Sequence, residues 1–192
     1  MVAWQLLTFL KKSHNSTTRV TLVHFDYQNT PASDSSANIA FLESLPALFK
    51  DKLIVIPVDC SKWRPELGPE GSARAFKRDF MASAGYDFYF IGHNADDHIE
   101  TILIQLLRGA GKGSKGIPDK IQGNLIRPIL DMDRQAVRDA CAFRNLPFFV
   151  DSTNLLPTYT RNFFRLEVIP LLKSHYGAGI YKRIRKIGEQ WS

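Results

Sequence analysis

A strand-to-helix junction near the middle of the chain constrains its fold most. Tyr86-Asp87-Phe88-Tyr89-Phe90-Ile91 is aromatic and β-branched, is bounded by Gly85 and Gly92, and reads as a buried strand. Asn94 is placed to cap a helix running from Ala95 to Arg108, with Ile99, Ile102, Leu103, Leu106 and Leu107 on its apolar face. Gly92-His93-Asn94-Ala95-Asp96-Asp97-His98-Ile99-Glu100-Thr101 therefore brings three carboxylates and two imidazoles to the place where a strand ends and a helix begins. In an open α/β sheet that place is the ligand crevice.

One acid in a first helical turn gains about 0.3–1 kcal/mol from the helix dipole, which accounts for Asp96 alone. Asp96 and Glu100, however, are i,i+4 like charges and Asp97 and Glu100 are i,i+3, so the set as a whole repels itself. A compensating cation is expected. From spacing, magnesium on oxygen ligands and the ammonium of a substrate are both open.

The rest of the chain alternates in the same way. Helices are predicted over Val2–Lys12, Asn38–Phe49, Glu70–Ala84, Arg134–Arg144 and Arg161–Lys173, with a last one from about Gly179. Strands are predicted over Arg19–Phe25, Leu53–Val58 and Asp87–Ile91, with short ones near Leu125–Arg127 and Phe148–Val150. Thr30 to Ala37, rich in Ser and containing Pro31, reads as an exposed loop. Strand and helix in alternation imply a parallel sheet. At 192 residues and 44% hydrophobic composition, one domain with a core is expected.

No apolar run reaches the roughly 18 residues of a membrane span, and the first ten residues lack a signal-peptide pattern, so the expected compartment is the cytoplasm. Cys60 and Cys141, far apart in sequence, make neither a Cys-x-x-Cys pair nor a zinc set and read as buried apolar residues. The net charge of +6 is uneven. From residue 155 onward, seven Lys or Arg face only Glu167 and Glu189, a net +5. Such clustering attracts phosphates, and Lys182-Arg183-Ile184-Arg185-Lys186 is its densest part; a merely solvated helix face is the alternative.

The order Gly-His-x-x-Asp-Asp-x-x-Glu-Thr is followed by Leu107-Arg108-Gly109-Ala110-Gly111 and by Leu125-Ile126-Arg127-Pro128-Ile129-Leu130. Asp151-Ser152-Thr153-Asn154 and Thr160-Arg161-Asn162-Phe163-Phe164-Arg165 come next. Together, from about Thr17 to Leu172, these motifs resemble the tRNA(Ile)-lysidine synthetase family of PP-loop ATPases. The resemblance implies a Rossmann-like parallel sheet of the adenine nucleotide alpha hydrolase type. It also implies a reaction: ATP activates the wobble cytidine of an isoleucine tRNA and lysine is attached to the ring, with AMP and pyrophosphate released.

On that resemblance Arg74, Asp97 and Glu100 are expected to be catalytic. His93, Asp96 and Arg74 are expected around the nucleotide, and Asp96 and Asp97 on magnesium. Arg127, Arg161, Arg165, Arg183 and Arg185 are expected on tRNA phosphates, with two guanidinia on one helical face suiting that task. Arg74 could equally be half of a surface Glu70–Arg74 pair, and Arg127 before Pro128 a turn device.

The family's Ser-Gly-Gly-x-Asp-Ser loop does not occur in the sequence, nor is the usual second His kept in His24-Phe25-Asp26-Tyr27. The expectation is a domain lacking its first central strand and its phosphate cradle, with a separate segment as one source of that loop. No counterpart of the family's C-terminal tRNA-gripping domain is recognisable. Two further readings stay open: a non-catalytic RNA-binding remnant, and another PP-loop ligase.

Overall fold

The computed structural model describes residues 19–27, 35–45, 52–150, 152–157, 159–177 and 179–190. The helix expected over Val2–Lys12 and the Thr30–Asp34 part of the expected loop lie outside them. The described residues gather into two compact units, one within Trp4–Tyr89 and Phe149–Thr153, the other within Phe90–Phe148 and Asn154–Ser192.

In the first unit, β1 (Thr21–Tyr27) and β2 (Lys52–Val58) pair in parallel, Thr21 opposite Lys52 through Tyr27 opposite Val58. A parallel pair needs a crossover, and α1 (Ser35–Ser44) occurs within it, beginning three residues before the expected Asn38 and taking in the end of the expected loop. After a 3₁₀ turn at Pro65–Leu67 comes α2 (Gly68–Ser83). Phe25 packs edge-on against Phe76 and Phe80 of α2, ring centroids 5.7 and 5.3 Å apart, and Trp63 meets Phe76 at 5.3 Å. Ser72, fully buried in the same helix, donates its hydroxyl to the Trp63 carbonyl. Cys60 here and Cys141 in the other unit are both buried free thiols, as expected.

The second unit is built around α3 (Ala95–Leu107), which follows the short β3 (Tyr89–Phe90). Ile99 and Ile102 of α3 form a core with Ile169 and Ile184, flanked by Leu103, Leu106, Leu172, Ile180 and Tyr181. Leu107, expected on this face, is exposed because the helix ends there, while Ile104 is buried. β5 (Leu125–Ile126) lies between β3 and β4 (Ile121–Gln122), and β4 and β5 form an antiparallel hairpin across Gly123-Asn124. α4 (Arg134–Phe143) is capped by Asp133, whose carboxylate accepts from the Ala136 N–H. No strand forms over Phe148–Val150, where Phe148 and Val150 are about half exposed.

The helix expected over Arg161–Lys173 is interrupted. It runs as α5 (Thr160–Phe163), a π-helical turn (Phe164–Val168) and α6 (Ile169–Tyr176). Pro170 supplies the reason: it has no N–H for the carbonyl four residues back, and its ring crowds that carbonyl, so the preceding turn widens. The basic α7 (Ile180–Gln190) packs on α3 through Ile184 and Gly188.

Candidate functional site

Asn94 and Asp97 form a reciprocal capping box at the start of α3: Asn94 Oδ1 accepts from the Asp97 N–H and Asp97 Oδ2 from the Asn94 N–H, both at 3.0 Å. This fixes the first turn, and the three acids then point toward helices that follow in the chain. The cation demanded by their spacing is intramolecular. Glu100, fully buried, accepts from Arg165 Nε at 2.9 Å and Nη2 at 3.1 Å, and from Arg134 Nη2 at 3.0 Å. Arg161 adds an ion pair, Nε lying 3.3 Å from Glu100 Oε2, and donates from Nη2 to the Thr101 hydroxyl at 2.9 Å.

The other two acids join the same network. Asp97 Oδ1 lies 3.4 Å from Arg165 Nη2 and 3.6 Å from Arg134 Nη2. Asp96 accepts from the Arg134 N–H at 2.7 Å and the Tyr181 hydroxyl at 2.5 Å. Burial opposes ionisation of Asp96, but these two donors and the nearby Arg134 and Lys173 charges outweigh it and hold its pKa below the ordinary carboxylate value. Burial and the bond to Asp96 push the Tyr181 phenol up. Asn154 completes the arrangement, accepting from Arg165 Nη1 at 2.8 Å. Asp151 lies outside the described residues, as does the Ser152 side chain.

Two of the expected assignments meet this geometry directly. Both oxygens of Asp96 accept from protein donors, Asp97 Oδ1 keeps only contacts of 3.4 Å and longer, and no group of three His, Cys, Asp or Glu side chains is arranged for a metal among the described residues. Arg127 is only 5% exposed and donates to the Asp119 carbonyl and to Gln122 Oε1, bracing the β4–β5 hairpin. Arg161 and Arg165 likewise turn their guanidinia inward onto Glu100.

Arg74, in the first unit, ion-pairs with Glu70 one turn earlier, each side chain about half exposed. His93 is half-buried just ahead of α3. Arg183 donates to the Tyr176 carbonyl, while Arg185 bridges Glu189 and Asp131 at 3.1 and 3.4 Å. Sequence reasoning passed over Arg134 and Tyr181. Asp133 as a helix cap was the available sign for Arg134, and for Tyr181 the phase it shares with Ile180 and Ile184 on an otherwise basic helix.

Behind the acids, the glycine-rich stretch after α3 is tied back onto that helix. The Gly116 N–H donates to Gln105 Oε1 at 2.8 Å and the Ile117 N–H to His98 Nδ1 at 3.1 Å. Acceptance at Nδ1 requires neutral imidazole. Burial, reinforced by Arg185, lowers the His98 pKa below 6.5. The folded state therefore binds fewer protons than the unfolded chain just below pH 6.5, and stability is lost as pH falls through that value. His24 in β1, lowered by burial, acts in the same sense. Chemical denaturation at pH 7.5 and 5.5 is expected to show this loss, and His98→Asn, whose amide oxygen can accept in place of Nδ1, is expected to reduce it to the His24 share.

Comparison with known proteins bears on what this arrangement belongs to. A model of the PP-loop domain family matches residues 3–172. A tRNA(Ile)-lysidine synthase from Clostridioides difficile is 43% identical over 96 residues, covering 49% of this chain and 21% of that protein. Those from Oceanobacillus iheyensis and Clostridium perfringens (strain 13) are 33% and 31% identical over 149 and 155 residues, covering 72% and 77% of this chain and 32% and 33% of theirs. The chain thus spans a fifth to a third of the length of these relatives. In fold it is similar to the U34-tRNA thiolase NcsA from Methanococcus maripaludis, solved with its [4Fe-4S] cluster, at a TM-score of 0.63 and 12% identity over 96% of this chain and 66% of that one. With the family model covering most of its length and relatives that carry the name tRNA(Ile)-lysidine synthase, the chain belongs to the PP-loop domain family.

Proposed function

We propose that this chain forms the substrate-side part of an ATP-dependent tRNA-modifying ligase that joins lysine to the wobble cytidine of an isoleucine tRNA in the cytoplasm. One observation carries the reading. Two motifs 65 residues apart, each part of the resemblance to lysidine synthetases, meet in the fold: Arg165 Nε donates to Glu100 Oε1 at 2.9 Å. In this reading ATP adenylates the cytosine carbonyl oxygen with release of pyrophosphate, and the lysine amine then displaces AMP at that carbon. Glu100, saturated by three guanidinia, positions the helix start, and Asp97, with longer contacts, orients the incoming ammonium. In the same reading His93, half-buried just ahead of α3, is assigned to the substrate crevice. Arg74 is a charge for nucleotide phosphates, since its exposed Glu70 pair is worth only about 0.3–0.5 kcal/mol and yields easily.

The test is transfer of labelled lysine to tRNA. Because no Ser-Gly-Gly-x-Asp-Ser loop occurs in the sequence, the 192-residue chain is expected to give little or no turnover, and the chain preceded by a strand and loop of that form to give transfer. In the latter, Asp97→Asn is expected to slow transfer at least tenfold, about 1.4 kcal/mol in the barrier. Robust turnover by the chain as it stands, or no transfer by the extended one, contradicts the reading.

RNA binding without catalysis is a second reading, favoured by α7. Lys182, Arg183 and Lys186 there have no carboxylate within 4.0 Å among the described residues. tRNA affinity is expected to fall as salt rises, and Arg183→Ala with Arg185→Ala to make the log–log slope shallower by about 1–2 units. A slope unchanged by the pair assigns the helix to solvation.

A further inference from the structure

Tyr159 and Phe163 hold their rings on the outer side of a short helix whose inner side is fully used. The Phe163 N–H donates to the Tyr159 carbonyl at 2.9 Å, so the two side chains stand one turn apart. Between and after them, Arg161 and Arg165 reach Glu100, Phe164 is buried, and Asn162, 7% exposed, donates to the Leu156 carbonyl at 2.9 Å. Those contacts leave Tyr159 and Phe163 outward at 43% and 47% exposure, next to exposed Leu155 and Leu156. Single exposed apolar side chains are ordinary, but here four fall within nine residues of the chain, two of them aromatic. Phe164 buttresses Phe163 edge-on, ring centroids 6.0 Å apart.

Resting on the tRNA-modification reading, we propose that Tyr159 and Phe163 form a stacking platform for unpaired nucleobases of an RNA. Charge decides for RNA over an apolar protein partner. The helix that carries Tyr159 and Phe163 packs on α3, as does the basic α7, where Lys182, Arg183 and Lys186 have no carboxylate within 4.0 Å among the described residues. Every base offers a π-face to an aromatic ring regardless of sequence, and phosphates supply the charge complement. The inward bonds of Asn162 and Arg161 hold the platform before any ligand arrives, so little ordering is required on binding.

The experiment titrates the whole chain with an RNA stem-loop carrying 2-aminopurine in its unpaired loop, at several salt concentrations. Binding is expected to quench the fluorophore by stacking. Tyr159→Leu and Phe163→Leu are each expected to weaken Kd about fivefold or more at every salt, leaving the salt slope unchanged, because an uncharged contact releases no counterions. Tyr159→Phe and Phe163→Tyr, which keep the rings, are expected to bind as the unaltered chain does. If the chain binds but the Leu variants bind equally well, or the fluorophore is not quenched, the platform is overturned and the RNA reading stands. If the chain binds no RNA, both fall. If the Leu substitutions instead abolish self-association in sedimentation, the face belongs to a second copy and the proposal is overturned.

Discussion

Replacing Glu100 by Gln is expected to lower the free energy of unfolding by about 3–5 kcal/mol, a large part of the roughly 5–15 kcal/mol available to a domain. The carboxylate is fully buried, accepts hydrogen bonds from Arg134 and Arg165, and ion-pairs with Arg161 at 3.3 Å. An amide keeps the shape but removes the charge, and its NH₂ turns donors toward donors. The three guanidinia, 17–27% exposed, are then only partly neutralised by Asp97. Denaturant unfolding followed by circular dichroism measures the loss. An acid that merely complemented the helix dipole would cost about 0.3–1 kcal/mol, and a loss that small would mean the network does not hold the fold.

Gly116→Ala is expected to be the next most damaging change. Gly116 has φ +78°, a left-handed backbone that costs a residue with a side chain about 1–2 kcal/mol. A Cβ there would also lie 2.7 Å from both His98 Cε1 and Ile102 Cγ1, and the core residue cannot retreat without opening α3. Crowding of that kind adds about 1–3 kcal/mol. It also pushes His98 off the Ile117 N–H, so that amide is expected to exchange faster with deuterium. Gly123→Ala separates the two contributions: its φ is +59°, yet nothing lies within 4 Å of the added carbon, so only the backbone cost is expected. Equal losses at both positions would show that the His98 contact is not close.

The alternation of elements and the Asn94-capped acidic helix start were legible because both rest on local periodicity and capping. What neutralises the acids was not legible. Spacing along α3 required a cation, but Arg134, Arg161 and Arg165 lie 34 to 65 residues away, and only the fold brings them to Glu100. The two guanidinia at 161 and 165 were read as a phosphate fork because four-residue spacing shows a shared face without showing which way that face turns. Pro170 was a visible sign that the helix after Thr160 would not stay regular, and the π-helical turn precedes it. Gly123-Asn124 between Ile121-Gln122 and Leu125-Ile126 was likewise a two-residue hairpin signal for the overlooked β4. At Phe148–Val150 composition favoured a strand, and none forms.

The acidic junction and the Thr160–Arg165 segment are joined through Glu100 and Arg165. A double-mutant cycle with Glu100→Gln, Arg165→Met and the pair together, read as unfolding free energies, tests it most directly. Strong non-additivity is expected: each single change leaves charge uncompensated, so the double variant loses about 2 kcal/mol less than the sum of the single losses. Additivity within about 0.5 kcal/mol would show that the two residues do not interact, and would contradict that link.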